Sequence, residues 1–110
     1  NIEDIYTLYT KHFLVDTDTR NIRKNTLFFA LKGANFNGNA YAEEAIKKGA
    51  AYAIVDEEKY QTNSNIIVVD DVLKTLQEIA KLHRKKLNRA LFGLITSVAI
   101  YNFFYFLLFG

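Results

Sequence analysis

The sequence predicts a small α/β domain, a sheet of three or four strands with flanking helices, followed by an apolar C-terminal tail. Three observations carry this. Apolar runs at residues 51–55 and 66–69, with a third run at 26–31, are each too short for a helix and are bounded by polar, turn-prone stretches. Two longer segments, about 40–48 and 71–88, carry helical periodicity with capping residues at their starts. And 110 residues, 50% of them hydrophobic, can bury the core of one domain but hardly of two.

In order along the chain, Ile2, Ile5, Leu8 and Tyr9 fall at helical spacing, with Asn1, Glu3 and Asp4 suited to the positive end of a short amphipathic helix. Residues 13–15 and 26–31 are expected strands, separated by the polar stretch 16–25. Gly33 and Gly38 bracket a loop, G-A-N-F-N-G, after which Asn39 can cap a helix over 40–48 with Glu43 and Glu44 early and Lys47 and Lys48 late. Gly49 is the stop signal. Strands follow at 51–55 and 66–69, and Asp71 caps a second long helix whose apolar face is Val72, Leu76, Ile79, Ala80, His83 and Leu87.

Composition excludes several functions. There is no cysteine, and the two histidines, His12 and His83, lie far apart, so disulfides, thiol nucleophiles and thiolate metal sites are ruled out and no metal site is expected. All 12 acidic residues lie at or before Glu78, and beyond it stand only cations, Lys81, Arg84, Lys85, Lys86 and Arg89. The basic character is therefore one short patch without interleaved stacking aromatics, which argues against nucleic acid as a partner. The first 12 residues alternate apolar with polar and carry acids, unlike a secretory signal, so a cytoplasmic location is expected.

Three motifs stand together: T-D-T-R at 17–20, L-F-F-A-L-K-G at 27–33 and N-F-N-G-N-A-Y at 35–41. They are followed by E-E-A-I-K-K-G-A-A-Y-A-I-V at 43–55 and I-I-V-V-D-D at 66–71. In this order and spacing, over roughly residues 1–88, the chain resembles the N-terminal domain of the Mur ligases. Within that family it is most similar to the MurF type, which adds D-alanyl-D-alanine to UDP-N-acetylmuramoyl-tripeptide. The resemblance implies a three-domain enzyme in which this domain holds the uridine diphosphate end of the UDP-N-acetylmuramoyl-peptide, while a central domain binds ATP and magnesium and a third delivers the dipeptide.

That implication can be set against the residues. Thr17 and Thr19 each donate and accept, Asp18 accepts, and Arg20 presents a planar fork suited to phosphate or carboxylate oxygen. Asp18 and Arg20 are equally suited to pairing with each other. In the second loop Gly33 and Gly38 leave backbone N–H groups and the amides of Asn35 and Asn37 for a ligand, and Lys32 can bring a positive charge to a diphosphate. Phe36 and Tyr41 are expected in the core, with stacking on a base as the alternative. Asn39 is expected chiefly as a helix cap, with a substrate hydrogen bond as its other use. Where many family members have D-G-H, this chain has Asn37, Gly38 and Asn39. His83 is expected to be a partly buried, hydrogen-bonded imidazole without a catalytic role.

Past residue 89 the pattern departs from the family. The family continues into a glycine-rich T-G-x-N-G-K-T-T loop, whereas residues 90–110 carry no charge and, beyond Gly93, no lysine and no glycine before Gly110. Such a loop needs glycines and a lysine to cradle phosphates. No ATP or magnesium site and no catalytic residue is expected in this chain, and ligation by it alone is not. The L-I-T-S at 94–97 is read as a remnant of the strand entering that loop. A second reading makes 90–110 a membrane segment preceded by the basic patch, the domain then being a membrane-tethered, non-enzymatic binding or scaffold module.

Overall fold

In a computed structural model, the structure describes residues 1–12 and 14–109, without the side chains of 95–97, 99–101 and 104. Phe13 and Gly110, and with them one end each of an expected strand and of the tail, lie outside the described residues. Contacts divide the chain into two compact units, Asn1–Ile79 and Ala80–Gly110.

The first unit is built on four parallel strands, β1 (Val15–Asp16), β2 (Leu27–Phe29), β5 (Tyr52–Val55) and β6 (Ile66–Val68), in the order β1-β2-β5-β6. Leu27 sits opposite both Val15 and Tyr52, and Ala53 opposite Ile66. A parallel sheet covered on both faces explains why these strands read as continuous apolar runs and not as alternations. Phe28, Ala53, Val55 and Ile66 pack with Ala42 and Ala45 of helix α2 (Ala42–Lys47). Successive strand residues point to opposite faces, so Leu27, Phe29 and Ile54, all fully buried, fill the other side, where helix α1 (Ile2–His12) meets β2. Each of these large side chains contributes about 2 kcal/mol through burial.

The helix ends follow the capping logic. The Asn1 side chain accepts from the Asp4 N–H at 3.0 Å, and Asp71 accepts from the Lys74 N–H at 3.0 Å. Gly49 follows α2 with φ +118°, a conformation that disfavours any side chain.

Several expectations are corrected. The bracketed loop 33–38 is not all loop: β3 (Lys32–Gly33) and β4 (Phe36–Asn37) form an antiparallel hairpin, because Ala34 and Asn35 suffice for a tight two-residue turn. A 3-10 turn over Gly38–Tyr41 precedes α2, which therefore starts later than expected. On α1 the buried residues are Ile5 and Tyr6, while Ile2, Leu8 and Tyr9 are half-buried. Helix α3 (Val72–Phe109) does not stop near 88 and no strand occurs at 94–97; nothing in the sequence but Gly93 interrupts helix formation there. Val72, Thr75 and Ile79 are buried and His83 half-buried, but Ala80 and Leu87 are exposed, so the expected apolar stripe fades past residue 83.

In the second unit Leu91, Phe92, Leu94, Val98 and residues 105–109 are exposed. Among the described residues no helix is long and apolar enough to cross a membrane.

Candidate functional site

The carboxyl ends of parallel strands are where open α/β sheets bind ligands. Here the segments leaving β1, β2 and β5 gather at that end. Thr17 follows β1, the β3–β4 hairpin follows β2, and Asp56 and Glu57 follow β5.

An open cleft of about 550 Å³ is lined by Thr17, Asp18, Thr19, Arg20, Phe36 and Tyr41. Phe36 and Tyr41 are not core residues: they are 51% and 39% exposed and stack on each other, ring centroids 5.3 Å apart and planes 17° from parallel. The hairpin carries Phe36 outward while Tyr41 closes the 3-10 turn, which is why the expected burial fails. Their rings offer a flat apolar platform beside two hydroxyls and a guanidinium.

The T-D-T-R segment holds its own shape. Asp18 caps the 3-10 turn Thr19–Asn21, its Oδ1 accepting from the Arg20 N–H at 2.9 Å. The Arg20 guanidinium folds back on the same carboxylate, Nη2 to Oδ2 2.8 Å and Nε to Oδ1 3.0 Å. Arg20 thereby holds the Asp18 carboxyl down at about 2. Just past the end of α2, Lys48 Nζ donates to the Thr19 carbonyl at 2.7 Å and ties the turn to the body. Just before it, Asp16 accepts from the Arg23 backbone N–H and Nε, both at 3.0 Å. Burial pushes the Asp16 carboxyl up, but these bonds leave it below its usual value.

The second loop turns its polar groups inward. Asn39 is fully buried and does not cap α2; the N-cap position is Tyr41, which makes no side-chain cap bond. Instead Asn39 Oδ1 accepts from the Asp56 and Glu57 N–H groups at 2.9 and 3.2 Å, and its Nδ2 donates to Asp56 Oδ1 at 3.1 Å and Asn37 Oδ1 at 3.0 Å. Asn37 is the cap of the 3-10 turn, accepting from the Asn39 N–H, and it donates to Glu57 Oε2 at 2.7 Å. Lys32 Nζ lies 3.0 Å from Asp56 Oδ1 and 3.2 Å from Glu57 Oε2. Its pKa rises under those two partners, Asp56 first. Glu57 is lowered by Asn37 and then Lys32; burial pushes Asp56 up, yet Lys32, the Val72 N–H and Asn39 bring it below the ordinary value.

Of the residues singled out from sequence, the structure thus brings Thr17, Asp18, Thr19, Arg20 and Phe36 to one cleft. Lys32, Asn37 and Asn39 are engaged in the network behind the hairpin, while Gly33 and Asn35 are exposed on it. Gly38 is obligatory for space: a Cβ there would lie 2.5 Å from the Leu31 carbonyl oxygen. Asp56 and Glu57 escaped the sequence reading; the available signal was a pair of acids closing a buried apolar strand.

Residues 12–84 match the family described as Mur ligase family, catalytic domain. The chain belongs to the Mur ligase family. It is 39% identical over 74 residues to the UDP-N-acetylmuramoyl-tripeptide:D-alanyl-D-alanine ligase of Haemophilus influenzae, covering 67% of this chain and 16% of that one. The ligase of the same description from Bacillus subtilis is 35% identical over 85 residues, 76% of this chain and 19% of the relative. A UDP-N-acetylmuramoyl-L-alanyl-D-glutamate:2,6-diaminopimelate ligase from Rickettsia bellii is 37% identical over 81 residues, 72% of this chain and 16% of the relative. Among solved structures, the MurF ligase from Thermotoga maritima in complex with ADP matches with TM-score 0.59 and 26% identity, over 69% of this chain and 17% of that one. The chain therefore spans less than a fifth of the length of these Mur ligases.

Proposed function

We propose that this Mur ligase segment is the uridine-nucleotide recognition part of a ligase adding D-alanyl-D-alanine to UDP-N-acetylmuramoyl-tripeptide in peptidoglycan synthesis. Residues 1–88 form the recognition domain, and the ligation chemistry lies outside this chain. The observation that carries the reading is the cleft: a stacked, exposed aromatic pair faces Thr17, Thr19 and Arg20. A uracil needs a flat apolar surface, its ribose needs hydroxyl and amide partners, and a diphosphate needs a guanidinium or backbone N–H groups. Arg20 is exposed, so exchanging Asp18 for a phosphate oxygen desolvates little. The relatives of Haemophilus influenzae and Bacillus subtilis and the Thermotoga maritima structure favour the D-alanyl-D-alanine type over the diaminopimelate type. Both substrate names begin with the same UDP-N-acetylmuramoyl group, so the cleft itself serves either. ATP and magnesium, which the family resemblance implies, find no glycine-rich lysine loop here to hold them.

Titration with UDP and with UDP-N-acetylmuramoyl-tripeptide, followed by NMR, tests this. The expected outcome is saturable shifts at the amides of 17–20 and the rings of Phe36 and Tyr41. A flat titration of folded protein sinks the reading.

One observation favours a second activity for the other unit, that of a membrane-tethered module. Lys81, Arg84, Lys85 and Arg89 share one open helix face with Phe92, and exposed apolar residues follow. Such a face suits an anionic lipid surface. Flotation with anionic but not zwitterionic vesicles is the expected result, and equal behaviour with both removes the reading.

A further inference from the structure

The cleft's aromatic platform stands on a weak support. The β3–β4 hairpin comprises two residue pairs, Lys32 with Asn37 and Gly33 with Phe36, and an isolated hairpin of that length does not hold itself together in water. Something else must hold Phe36 where it stacks on Tyr41. The groups that reach the hairpin from outside come from the end of β5. Glu57 accepts from Asn37 and pairs with Lys32, while Asp56 pairs with Lys32 and accepts from Asn39. Buried Asn39 fixes both acids by accepting from their backbone N–H groups, and Asp56 Oδ2 also accepts from the Val72 N–H at 3.3 Å at the start of α3.

We propose that Asp56 and Glu57 are positioning residues of the nucleotide cleft, latching the β3–β4 hairpin so that Phe36 is held in its stack with Tyr41 before a base arrives. This rests on the reading of that cleft as the uridine site. Asp56 is engaged by Lys32, Asn39 and Val72 and Glu57 by Lys32 and Asn37, and neither lines the cleft, so they act through the hairpin and not on the ligand. Their roles divide. Asp56 joins three elements, and its loss disturbs the start of α3 as well. Among the described residues the Glu57 carboxylate meets Asn37, Lys32 and, at 3.7 Å, Lys59, so its loss loosens the hairpin and leaves the sheet intact. A platform held in place before binding spares the ligand the cost of ordering it.

Glu57→Ala is therefore the deciding variant, with Glu57→Gln as the rescue, since glutamine keeps an oxygen for the Asn37 amide. Without ligand, amide exchange of Gly38, whose N–H donates to the Leu31 carbonyl at 2.8 Å, is expected to quicken in Glu57→Ala, and Phe36–Tyr41 ring contacts in NMR to weaken. Exchange at Ala53 and Ile54 in β5 stays as in the wild type. With UDP, affinity falls about fivefold to tenfold in Glu57→Ala and recovers most of the way in Glu57→Gln. Unchanged hairpin exchange overturns the latch, and faster exchange with wild-type UDP affinity overturns its positioning role. Wild-type protein that ignores UDP overturns the cleft reading and the positioning role that rests on it. The ligand-free arm still decides whether Glu57 holds the aromatic pair. Lys32→Met, which removes the shared cation, provides the same readings through the other partner.

Discussion

The two loops that wall the cleft use similar residues in opposite ways. In 17–20 the polar side chains stay at the surface, and Asp18 and Arg20 satisfy each other there. In 32–39 Lys32 and Asn37 reach to the acids at the end of β5, and Asn39 disappears completely beneath the hairpin. The difference lies in what must be satisfied. The segment leaving β1 makes a self-capped turn that needs one tie to the body, the Lys48 bond to the Thr19 carbonyl. The hairpin instead crosses over the end of β5, where the N–H groups of Asp56 and Glu57 have passed beyond the sheet ladder and need acceptors. In the proposed site the first loop is the one that exchanges partners with a ligand, and the second is the scaffolding that presents a ring.

Breaking the scaffold should cost most. Asn39→Ala leaves two half-buried N–H groups and the Asp56 carboxylate short of partners, and urea unfolding should show a loss of about 2–4 kcal/mol. A loss below about 1 kcal/mol would mean that water replaces the amide and that the two loops differ less than their geometry says. Gly38→Ala comes next. The added methyl would lie 2.5 Å from a backbone oxygen and 2.9 Å from the Leu31 nitrogen, atoms that cannot swing away as a side chain can. A destabilisation of about 1–3 kcal/mol is expected by the same measurement, together with displaced Phe36 ring signals.

Acting on the ligand side reverses the balance between stability and binding. Phe36→Ala removes a half-exposed ring, so folding should change by no more than about 0.5 kcal/mol. UDP affinity, measured by calorimetry, should fall about tenfold, since one base stacked on an aromatic ring contributes about 1–3 kcal/mol. Unaltered UDP affinity in this variant would remove the platform from the proposed site.

The contrast also explains what could be read from the sequence. Strands β2, β5 and β6 were legible because each is a continuous apolar run, and Asn1, Gly49 and Asp71 punctuate the helices as their chemistry requires. The T-D-T-R turn was legible because its partners lie two residues apart. The hairpin was not, since strands of two residues carry no periodicity and G-A-N-F-N-G has the composition of a loop. Asn39 could not be placed either: its main partners are 17 and 18 residues away, and only the fold brings the end of β5 beneath the hairpin. Helix α3 ran past its expected end because a change from basic to apolar composition alters what a helix faces, not whether it continues.

The smallest effect isolates the surface loop. Arg20→Met removes the guanidinium that does most to lower Asp18, so the carboxyl should rise from about 2 toward its ordinary 3.8. The rise should be incomplete, because the backbone N–H of residue 20 still donates to Oδ1. For a carboxylate lowered in the folded state, the stabilisation is present above the ordinary value and is lost as pH falls from 3.8 through about 2. At neutral pH the variant should therefore lose whatever the pair contributes. That contribution is small, because the Arg20 side chain is 86% exposed and water screens the pair. Carboxyl-carbon NMR should show the moved titration while the thermal midpoint at pH 7 stays within error. UDP affinity should fall in the same variant, since the guanidinium that leaves Asp18 is the one offered to phosphate. A large drop in thermal midpoint would instead show that this loop, like the hairpin, is scaffolding, and the contrast between the two walls of the cleft would collapse.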